Sequence, residues 1–176
     1  SSSGHWLHAV ADVTAAYLQT KMPDDEPLYM YQPQGFDDNS GMVLQMLLNL
    51  GGTRKAARNW QKILIAFMVK FGFVVSALDA HLYVYFDPDG TGIIFVCTHV
   101  DDLPHIANNE AVLKKFHAAL SAEWQVTFGD PECTLGIRVR RLGNGDVTLD
   151  QASYIEKVAA RFNITPDFKP STPLSV

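Results

Sequence analysis

Two strand-like runs separated by a short turn constrain the fold more than any other feature of this sequence. Residues 81–86 and 93–100 are rich in β-branched and aromatic side chains, and residues 87–92 between them contain a proline and two glycines. This pattern predicts an antiparallel hairpin. A hairpin alone is only marginally stable, so the remaining apolar segments must cover one face of a larger sheet.

The rest of the chain supplies those segments. Apolar residues recur every three or four positions between 56 and 71, which predicts a helix that Gly72 ends. In chain order we predict a strand at 8–13, a short helix at 14–20, an extended piece at 28–31, an apolar run at 42–50, the helix at 56–71, the first hairpin, a helix at 110–124 capped by Asn108 or Asn109, a second hairpin at 134–141 and 146–150, and a helix at 152–162. This order predicts an α+β fold, with a mostly antiparallel sheet and helices packed on one face.

The bulk composition bounds the class of protein. With 176 residues, of which 47% are apolar, the chain can bury a sizeable core. No apolar run approaches the roughly 18–20 residues of a membrane span, and the start lacks the pattern of a signal peptide. We therefore expect no membrane partner and a cytoplasmic or nuclear location. The two cysteines, Cys97 and Cys133, are expected to be reduced and buried.

Charge argues against a simple nucleic-acid binder. A net charge of −5 repels a phosphate backbone, so any contact with nucleic acid must come from local basic patches. The candidates are Arg54, Lys55, Arg58 and Lys62 in one stretch and Arg138, Arg140 and Arg141 in another. Such clusters are more often solvated surfaces than binding sites.

Adjacent carboxylates carry the most specific chemical signal. Asp101 and Asp102 follow an apolar strand, where two like charges are costly to desolvate unless they lie at a turn or beside a cation. Asp12 ends the first predicted strand. If that strand lies next to the hairpin, the three carboxylates converge and can hold two divalent ions about 4 Å apart. Mg²⁺ suits such oxygen ligands, with Mn²⁺ as the substitute. An Asp-Asp pair alone is more often a turn or cap.

The neighbouring motifs extend that signal over almost the whole chain. Residues 12–18 read DVTAAYL and residues 28–36 read LYMYQPQGF. Further motifs follow in order: Arg58-Asn59-Trp60, Asp79 with Leu82-Tyr83, Val100-Asp101-Asp102, Leu135-Gly136-Ile137, Gln151 with Tyr154-Ile155, and Ser171-Thr172-Pro173-Leu174. From Trp6 onward the chain resembles copia-type retrotransposon reverse transcriptases.

The resemblance implies an RNA-directed DNA polymerase, a nucleotidyltransferase, built on a reverse-transcriptase palm. Asp12, Asp101 and Asp102 would be its catalytic and metal-binding residues, and its partners would be an RNA or DNA template, a primer and deoxynucleoside triphosphates. Substrate-binding roles would fall on Tyr17, Lys55, Arg58 and His99. Tyr17 matches the aromatic that excludes a ribose 2′-hydroxyl; without the resemblance it is more simply a core aromatic. The hairpin at 134–150 would grip the primer, or is simply a sheet edge.

The resemblance also implies four segments in the chain. Residues 1–5 are expected to be a cloning remnant or a disordered start, 6–133 the palm with the catalytic hairpin, 134–165 a primer-grip-like hairpin with the start of a thumb or connection, and 166–176 an extended tail. Family members carry basic fingers ahead of the first aspartate, and this chain begins about a dozen residues before Asp12. We therefore expect the chain alone to be weak or inactive as a polymerase.

Several residues depart from the family pattern. Lys55 replaces a glutamine, Ala57 a proline and His99 a tyrosine, and Pro104 follows the catalytic pair. Since proline cannot donate to a sheet ladder, we expect the strand after Asp102 to be bent or at a sheet edge.

Two other functions fit parts of the sequence. A domesticated, non-catalytic module that binds a protein, a second copy of itself or a nucleic acid is favoured by the altered motifs. A zinc site is the other, because Cys97, His99 and Asp101 alternate along one predicted strand and His105 lies just beyond it.

Overall fold

An antiparallel sheet of six strands organises the first part of the chain. The computed structural model describes residues 6–38, 40–129, 133–134, 136–144 and 146–165, and the chain divides into two compact units, 1–129 and 130–176. The predictions for residues 1–5 and 166–176 lie outside the described residues. The strands of unit 1 are β1 (Leu7–Val13), β2 (Tyr29–Tyr31), β3 (Val43–Gln45), β4 (Val74–Val75), β5 (Leu82–Phe86), β6 (Ile93–Cys97), β7 (Asp102–Ala107) and β8 (Val126–Gly129).

The order of the strands places β1 inside the sheet. The six-stranded sheet runs β4-β5-β6-β7-β1-β8, and all its described pairs are antiparallel. The strands β2 and β3 form a separate two-stranded sheet. The first predicted hairpin is confirmed as β5–β6, although β6 ends at Cys97 rather than at position 100. Because β1 pairs with β7, the start of the chain lies beside the end of this hairpin segment.

Two helices of unit 1 pack on the same face of the sheet. They are α1 (Arg54–Phe71) and α2 (Glu110–Glu123). Alternate strand residues share their core, which contains large aromatic and aliphatic side chains: Trp60, Met68, Phe116 and Leu120 from the helices, with Val13, Ile94, Val96 and Leu103 from the strands. Fully burying a side chain of this kind contributes about 1.5–3 kcal/mol. The predicted α+β arrangement, with helices on one sheet face, is confirmed for this unit.

The ends of these helices follow from their sequence. Gly72 ends α1 with φ 113°, a left-handed conformation, and its N–H donates to the carbonyls of Met68 and Val69. At the start of α2 the Asn109 side chain accepts from the N–H groups of Ala111 and Val112, at 2.8 and 3.2 Å. Both predicted signals are confirmed. The predicted helix at 14–20 is instead a single 3-10 turn, Ala16–Gln19.

Pro104 lies in a central strand, contrary to the expectation of a bent or edge strand. Its strand, β7, has β6 on one side and β1 on the other. The N–H of Asn108 donates to Ile93 of β6, so by strand alternation the Pro104 nitrogen also points toward β6. The paired residues of β6 and β7 end at Val96 and His105. Proline is therefore tolerated because its nitrogen faces the stretch where that ladder has stopped.

The second unit contains the second hairpin. Its strands are β9 (Cys133–Thr134), β10 (Ile137–Arg141) and β11 (Val147–Asp150), in the order β11-β10-β9, and its helix is α3 (Ala152–Arg161). The predicted hairpin and final helix are confirmed, but Leu135 and Gly145 lie outside the described residues. In the described part of the chain, no helix is both long and apolar enough to cross a membrane.

Candidate active site

Asp12 and Asp102 form a cross-strand pair. The register of β1 against β7 places Asp12 directly opposite Asp102. Their neighbours Ala11, Val13 and Leu103 are fully buried under the helices, so strand alternation turns the two aspartates to the opposite face of the sheet. Residues opposite each other in an antiparallel pair have Cβ atoms about 4.5–5.5 Å apart. The structure thus brings together two carboxylates that lie 90 positions apart in sequence.

Asp101 lies in the tight turn that leads into β7. His99 and Asp102 exchange two backbone hydrogen bonds, of 2.9 and 3.0 Å, which leaves Val100 and Asp101 as the two residues of the turn. The carbonyl of Asp101 accepts a 3.0 Å hydrogen bond from the N–H of Val13. This bond fastens the turn to β1 one residue after Asp12. All three predicted carboxylates therefore belong to one edge of the sheet.

The surroundings of Asp102 disfavour its ionised form. Burial raises the pKa of the Asp102 carboxyl, and the negative charges of Asp101 and Asp12 raise it further. The neighbouring His99 acts in the opposite direction on the same pKa. Half-buried like charges of this kind are stabilised when a cation lies among them.

The donor set partly fits a divalent metal. Three carboxylates are hard oxygen ligands of the type that Mg²⁺ prefers. Nevertheless, among the described residues no three His, Cys, Asp or Glu side chains are gathered closely enough to hold one ion. The backbone therefore brings the three carboxylates to one edge of the sheet, but their side chains do not form a metal-binding cluster there.

Tyr17 lies close to the turn formed by Val100 and Asp101. The chain leaves β1 through Ala15, which has a left-handed φ of 48°, and enters the 3-10 turn that carries Tyr17. The half-buried tyrosine ring and Val100 line the same cavity of about 150 Å³, together with Trp60. Tyr17 therefore packs against the core, as a simple core aromatic would, but it also borders a cavity that reaches Val100 in the turn.

The other predicted substrate-binding residues lie in two places, His99 beside Asp102 and the other two on α1. His99 is exposed and close enough to Asp102 to affect its pKa. Lys55 and Arg58 lie on the first turns of α1, and the Lys55 ammonium is 3.1 Å from a carboxylate oxygen of Glu26. The hydrogen bond and charge of Lys55 hold the pKa of Glu26 below its usual range. Lys55 is therefore paired with Glu26, whereas the Arg58 side chain is exposed.

The zinc hypothesis is not supported by the described residues. Its premise was a strand running to Asp101, but β6 ends at Cys97 and residues 99–101 form the turn. Cys97 is exposed, rather than buried as expected, whereas His105 is buried on the helix-covered face. Strand alternation turns Cys97 and His105 to opposite faces of the sheet, so they cannot share an ion.

A buried histidine, His105, and a half-buried one, His117, form a pair that sequence reasoning missed. His105 Nδ1 lies 2.7 Å from the carbonyl of Leu103, and its Nε2 lies 2.7 Å from Nε2 of His117. Because a carbonyl can only accept, Nδ1 of His105 carries the proton and His117 donates to Nε2 of His105. Burial lowers the pKa of His105 to about 4 and also lowers the pKa of His117.

A buried polar network behind Tyr17 was also missed. Thr20 donates to the Tyr17 carbonyl at 2.9 Å, and Asn49 donates to the Thr20 hydroxyl at 2.8 Å. Asn59 on α1 in turn donates to the side-chain oxygen of Asn49 at 2.9 Å. Asparagine is usually exposed, and only the burial of Asn49 and Asn59, at 0% and 4% exposure, identifies them.

Two arginines of the second basic cluster share one carboxylate within unit 2. Arg138 makes a bidentate contact with Asp150, with its Nε at 3.0 Å and an Nη at 2.9 Å. Arg140 reaches the other oxygen of the same carboxylate at 3.0 Å. The side chain of Arg141 lies outside the described residues. Arg138 and Arg140 together keep a net positive charge after this pairing, because two guanidinium groups share one carboxylate.

The sequence matches a known family along its whole length. The family model described as reverse transcriptase (RNA-dependent DNA polymerase) matches residues 1–176. The chain belongs to this family. The resemblance to copia-type retrotransposon reverse transcriptases is thereby confirmed.

Three curated relatives are retrotransposon proteins. The chain is 31% identical over 173 residues to the retrovirus-related Pol polyprotein from transposon RE2 of Arabidopsis thaliana, covering 97% of the chain and 12% of that protein. It is 29% identical over 166 residues to the putative transposon Ty5-1 protein of Saccharomyces cerevisiae, covering 93% and 53%. For the Pol polyprotein from transposon TNT 1-94 of Nicotiana tabacum the identity is 29% over 168 residues, covering 93% and 12%. The chain thus spans about half of one relative and an eighth of the others.

Proposed function

We propose that residues 6–133 form the palm of a reverse transcriptase and support RNA-directed DNA synthesis by two-metal nucleotidyl transfer. The observation that carries the proposal is the Asp12–Asp102 pair, on the sheet face away from the helices, with Asp101 in the adjoining turn. A turn alone does not account for all three carboxylates at this edge, because they repel one another. A shared cation gives a reason for all three.

Asp12, Asp101 and Asp102 would hold Mg²⁺, with Mn²⁺ as a substitute. When bound, such ions activate the attacking oxygen and stabilise the leaving oxygen of a phosphoryl transfer. The role of the chain is to fix the carboxylates. Asp12 and Asp102 are fixed by the β1–β7 ladder, and Asp101 by the bond from Val13 to its carbonyl.

Tyr17 and His99 would contact the substrates. The Tyr17 ring borders the cavity beside the turn, where an aromatic can limit the space available to the sugar of a nucleotide. His99 lies at the mouth of the turn and is exposed. It would face the template–primer or the incoming deoxynucleoside triphosphate.

Lys55 and Arg58 would contact the nucleotide from α1. Because Lys55 is paired with Glu26, binding a phosphate through Lys55 requires that pair to open. The pair is partly exposed, so opening it costs little, about 0–1 kcal/mol. The proposed setting for this reaction is the cytoplasm or the nucleus, where a template, a primer and nucleotides are available.

Thermal unfolding with and without divalent ions tests the metal site. Mg²⁺ that binds the folded chain more tightly than the unfolded chain raises Tm. We expect millimolar Mg²⁺ or Mn²⁺ to raise Tm relative to a chelator, and expect Asp102→Asn to remove most of that rise. Asp25→Asn, which removes an exposed carboxylate elsewhere, is the matched control and should keep it. A wild-type Tm that is the same in chelator and in Mg²⁺ would contradict the proposal.

A folded chain that binds Mg²⁺ but supports no synthesis would favour the second function. The departures at Lys55 and His99 would then mark a non-catalytic module that binds a protein, a second copy of the chain or a nucleic acid.

A further inference from the structure

The turn that carries Asp101 contains a strained residue. Val100 has φ 57°, in the left-handed region, where a β-branched side chain is a genuine outlier. Such a conformation persists only when surrounding contacts hold it. The two backbone bonds between His99 and Asp102 close the turn, but they do not connect it to the helices beneath.

Trp60 provides that connection. Its indole N–H donates to the carbonyl of Val100, with 2.5 Å between Nε1 and the oxygen. Trp60 is 2% exposed, and its ring packs edge-on against Trp124 with centroids 5.1 Å apart. The donor is therefore held by the core, not by a flexible surface side chain.

We propose that Trp60 is a positioning residue for the catalytic turn. The indole fixes the Val100 carbonyl, and the turn therefore keeps Asp101 and Asp102 beside the end of β1. This inference rests on the proposed function, because it assigns the bond a role in holding the metal-binding carboxylates. In this role Trp60 acts through the backbone of the turn, by its bond to the Val100 carbonyl.

The position of Trp60 in α1 places two contacts of the proposed site on one helix. The preceding residue, Asn59, donates to Asn49 and so reaches the network behind Tyr17. Trp60 reaches the turn on the other side. Two adjacent buried residues of α1 thus contact the segment that follows Asp12 and the turn that contains Asp101.

Trp60→Phe tests the inference because it keeps an aromatic ring and removes the donor. The readouts are Mn²⁺ affinity, measured from the free-ion magnetic resonance signal, and hydrogen exchange of the Asp102 amide. We expect Trp60→Phe to weaken Mn²⁺ binding roughly five- to tenfold, the effect of about one net hydrogen bond. Exchange at Asp102 should be faster by a similar factor. Phe73→Leu removes bulk from the same core at a ring that packs against Phe71, Tyr85 and Phe116. It leaves the Val100 bond and should change neither readout by more than about twofold.

A rescue variant separates positioning from core packing. Glycine adopts a left-handed φ without strain, so a turn with Val100→Gly needs the indole less. We expect Val100→Gly added to Trp60→Phe to restore Mn²⁺ affinity to within about twofold of wild type. If Trp60→Phe does not fold, benzothienylalanine in place of Trp60 keeps the bicyclic shape and lacks the N–H group.

The outcomes distinguish this inference from the proposed function. Unchanged Mn²⁺ affinity and unchanged Asp102 exchange in Trp60→Phe would overturn the positioning role alone. A loss of affinity that Val100→Gly does not rescue would also overturn it, since core damage would then explain the loss. Wild-type chain that binds no Mn²⁺, while Trp60→Phe still accelerates exchange, would overturn the proposed function and support the restraint on the turn.

Discussion

Asp12 on β1 and Asp102 on β7 lie directly opposite each other on the sheet face away from the helices. Their spacing is set by the antiparallel ladder, and the Asp101 carbonyl is tied to the same strand through Val13. These backbone hydrogen bonds hold three like charges close together. The repulsion between the carboxylates lowers the stability of the fold unless a cation is bound.

Asp102→Asn should stabilise the metal-free chain at pH 7. The folded pKa of Asp102 is raised above the usual 3.8, so the carboxyl favours folding below that pH and loses the contribution as pH rises through its folded pKa. At pH 7 the wild type therefore carries an unfavourable charge that asparagine lacks. The measurement is Tm in chelator, where the variant should melt higher than wild type at pH 7. Below pH about 3.8 that advantage should vanish, and Asp25→Asn should show none.

The buried His105, paired with the half-buried His117, should make the fold sensitive to acid. His105 has a pKa of about 4 when folded and 6.5 as its ordinary value, so the unfolded chain binds a proton that the folded chain does not. This contribution to stability is complete above pH 6.5 and is lost as pH falls toward 4. The total is about 3 kcal/mol, at about 1.4 kcal/mol for each pH unit.

Denaturant unfolding between pH 7 and pH 4 checks this dependence. His105→Phe keeps a ring against Phe116 and should flatten the decline, although His117 still contributes to it. His81→Gln, at an exposed histidine, should leave the decline unchanged. An equal slope in wild type and His105→Phe would assign the acid sensitivity to other groups.

Replacing Asn59 with leucine should lower the free energy of unfolding, even though the two side chains are similar in size. In Asn59→Leu the oxygen of the fully buried Asn49 loses its donor, and an unsatisfied buried polar group costs about 1–3 kcal/mol. Gln61→Ala changes an exposed residue of the same helix and should stay within about 0.5 kcal/mol of wild type. The free energy of unfolding in denaturant measures both. A loss in Asn59→Leu no larger than that in Gln61→Ala would contradict the role of the network.

The local patterns of the sequence predicted most elements and the members of the carboxylate cluster. Alternation and turn residues were sufficient for β5–β6, helical periodicity for α1 and α2, and cap chemistry for Asn109 and Gly72. These signals are local, since each depends on residues within a few positions of one another. Proximity of Asp12 to Asp102 followed from placing a strand beside the hairpin.

Contacts between distant segments escaped prediction. The place of Pro104 in a central strand depends on where the β6–β7 ladder stops, which no local pattern encodes. The His105–His117 pair joins a strand to a helix, and the Asn49–Asn59 bond joins a loop to a helix. The bond from Trp60 to Val100 spans 40 residues. Each of these contacts depends on the three-dimensional fold and not on the residues adjacent in sequence.

Primer extension tests the central claim most directly. Correct placement of substrates supplies much of phosphoryl-transfer catalysis, and holding the incoming triphosphate needs positioned cations of the kind that the basic fingers of the family are expected to supply. We therefore expect the chain alone to extend a primer on an RNA template poorly or not at all. Fused behind the fingers segment of a copia-type relative, it should incorporate deoxynucleotides in Mg²⁺. Asp102→Asn in the same fusion should abolish incorporation without unfolding the protein. A folded, Mg²⁺-binding fusion that incorporates nothing, or one that works equally well with Asp102→Asn, would contradict the account.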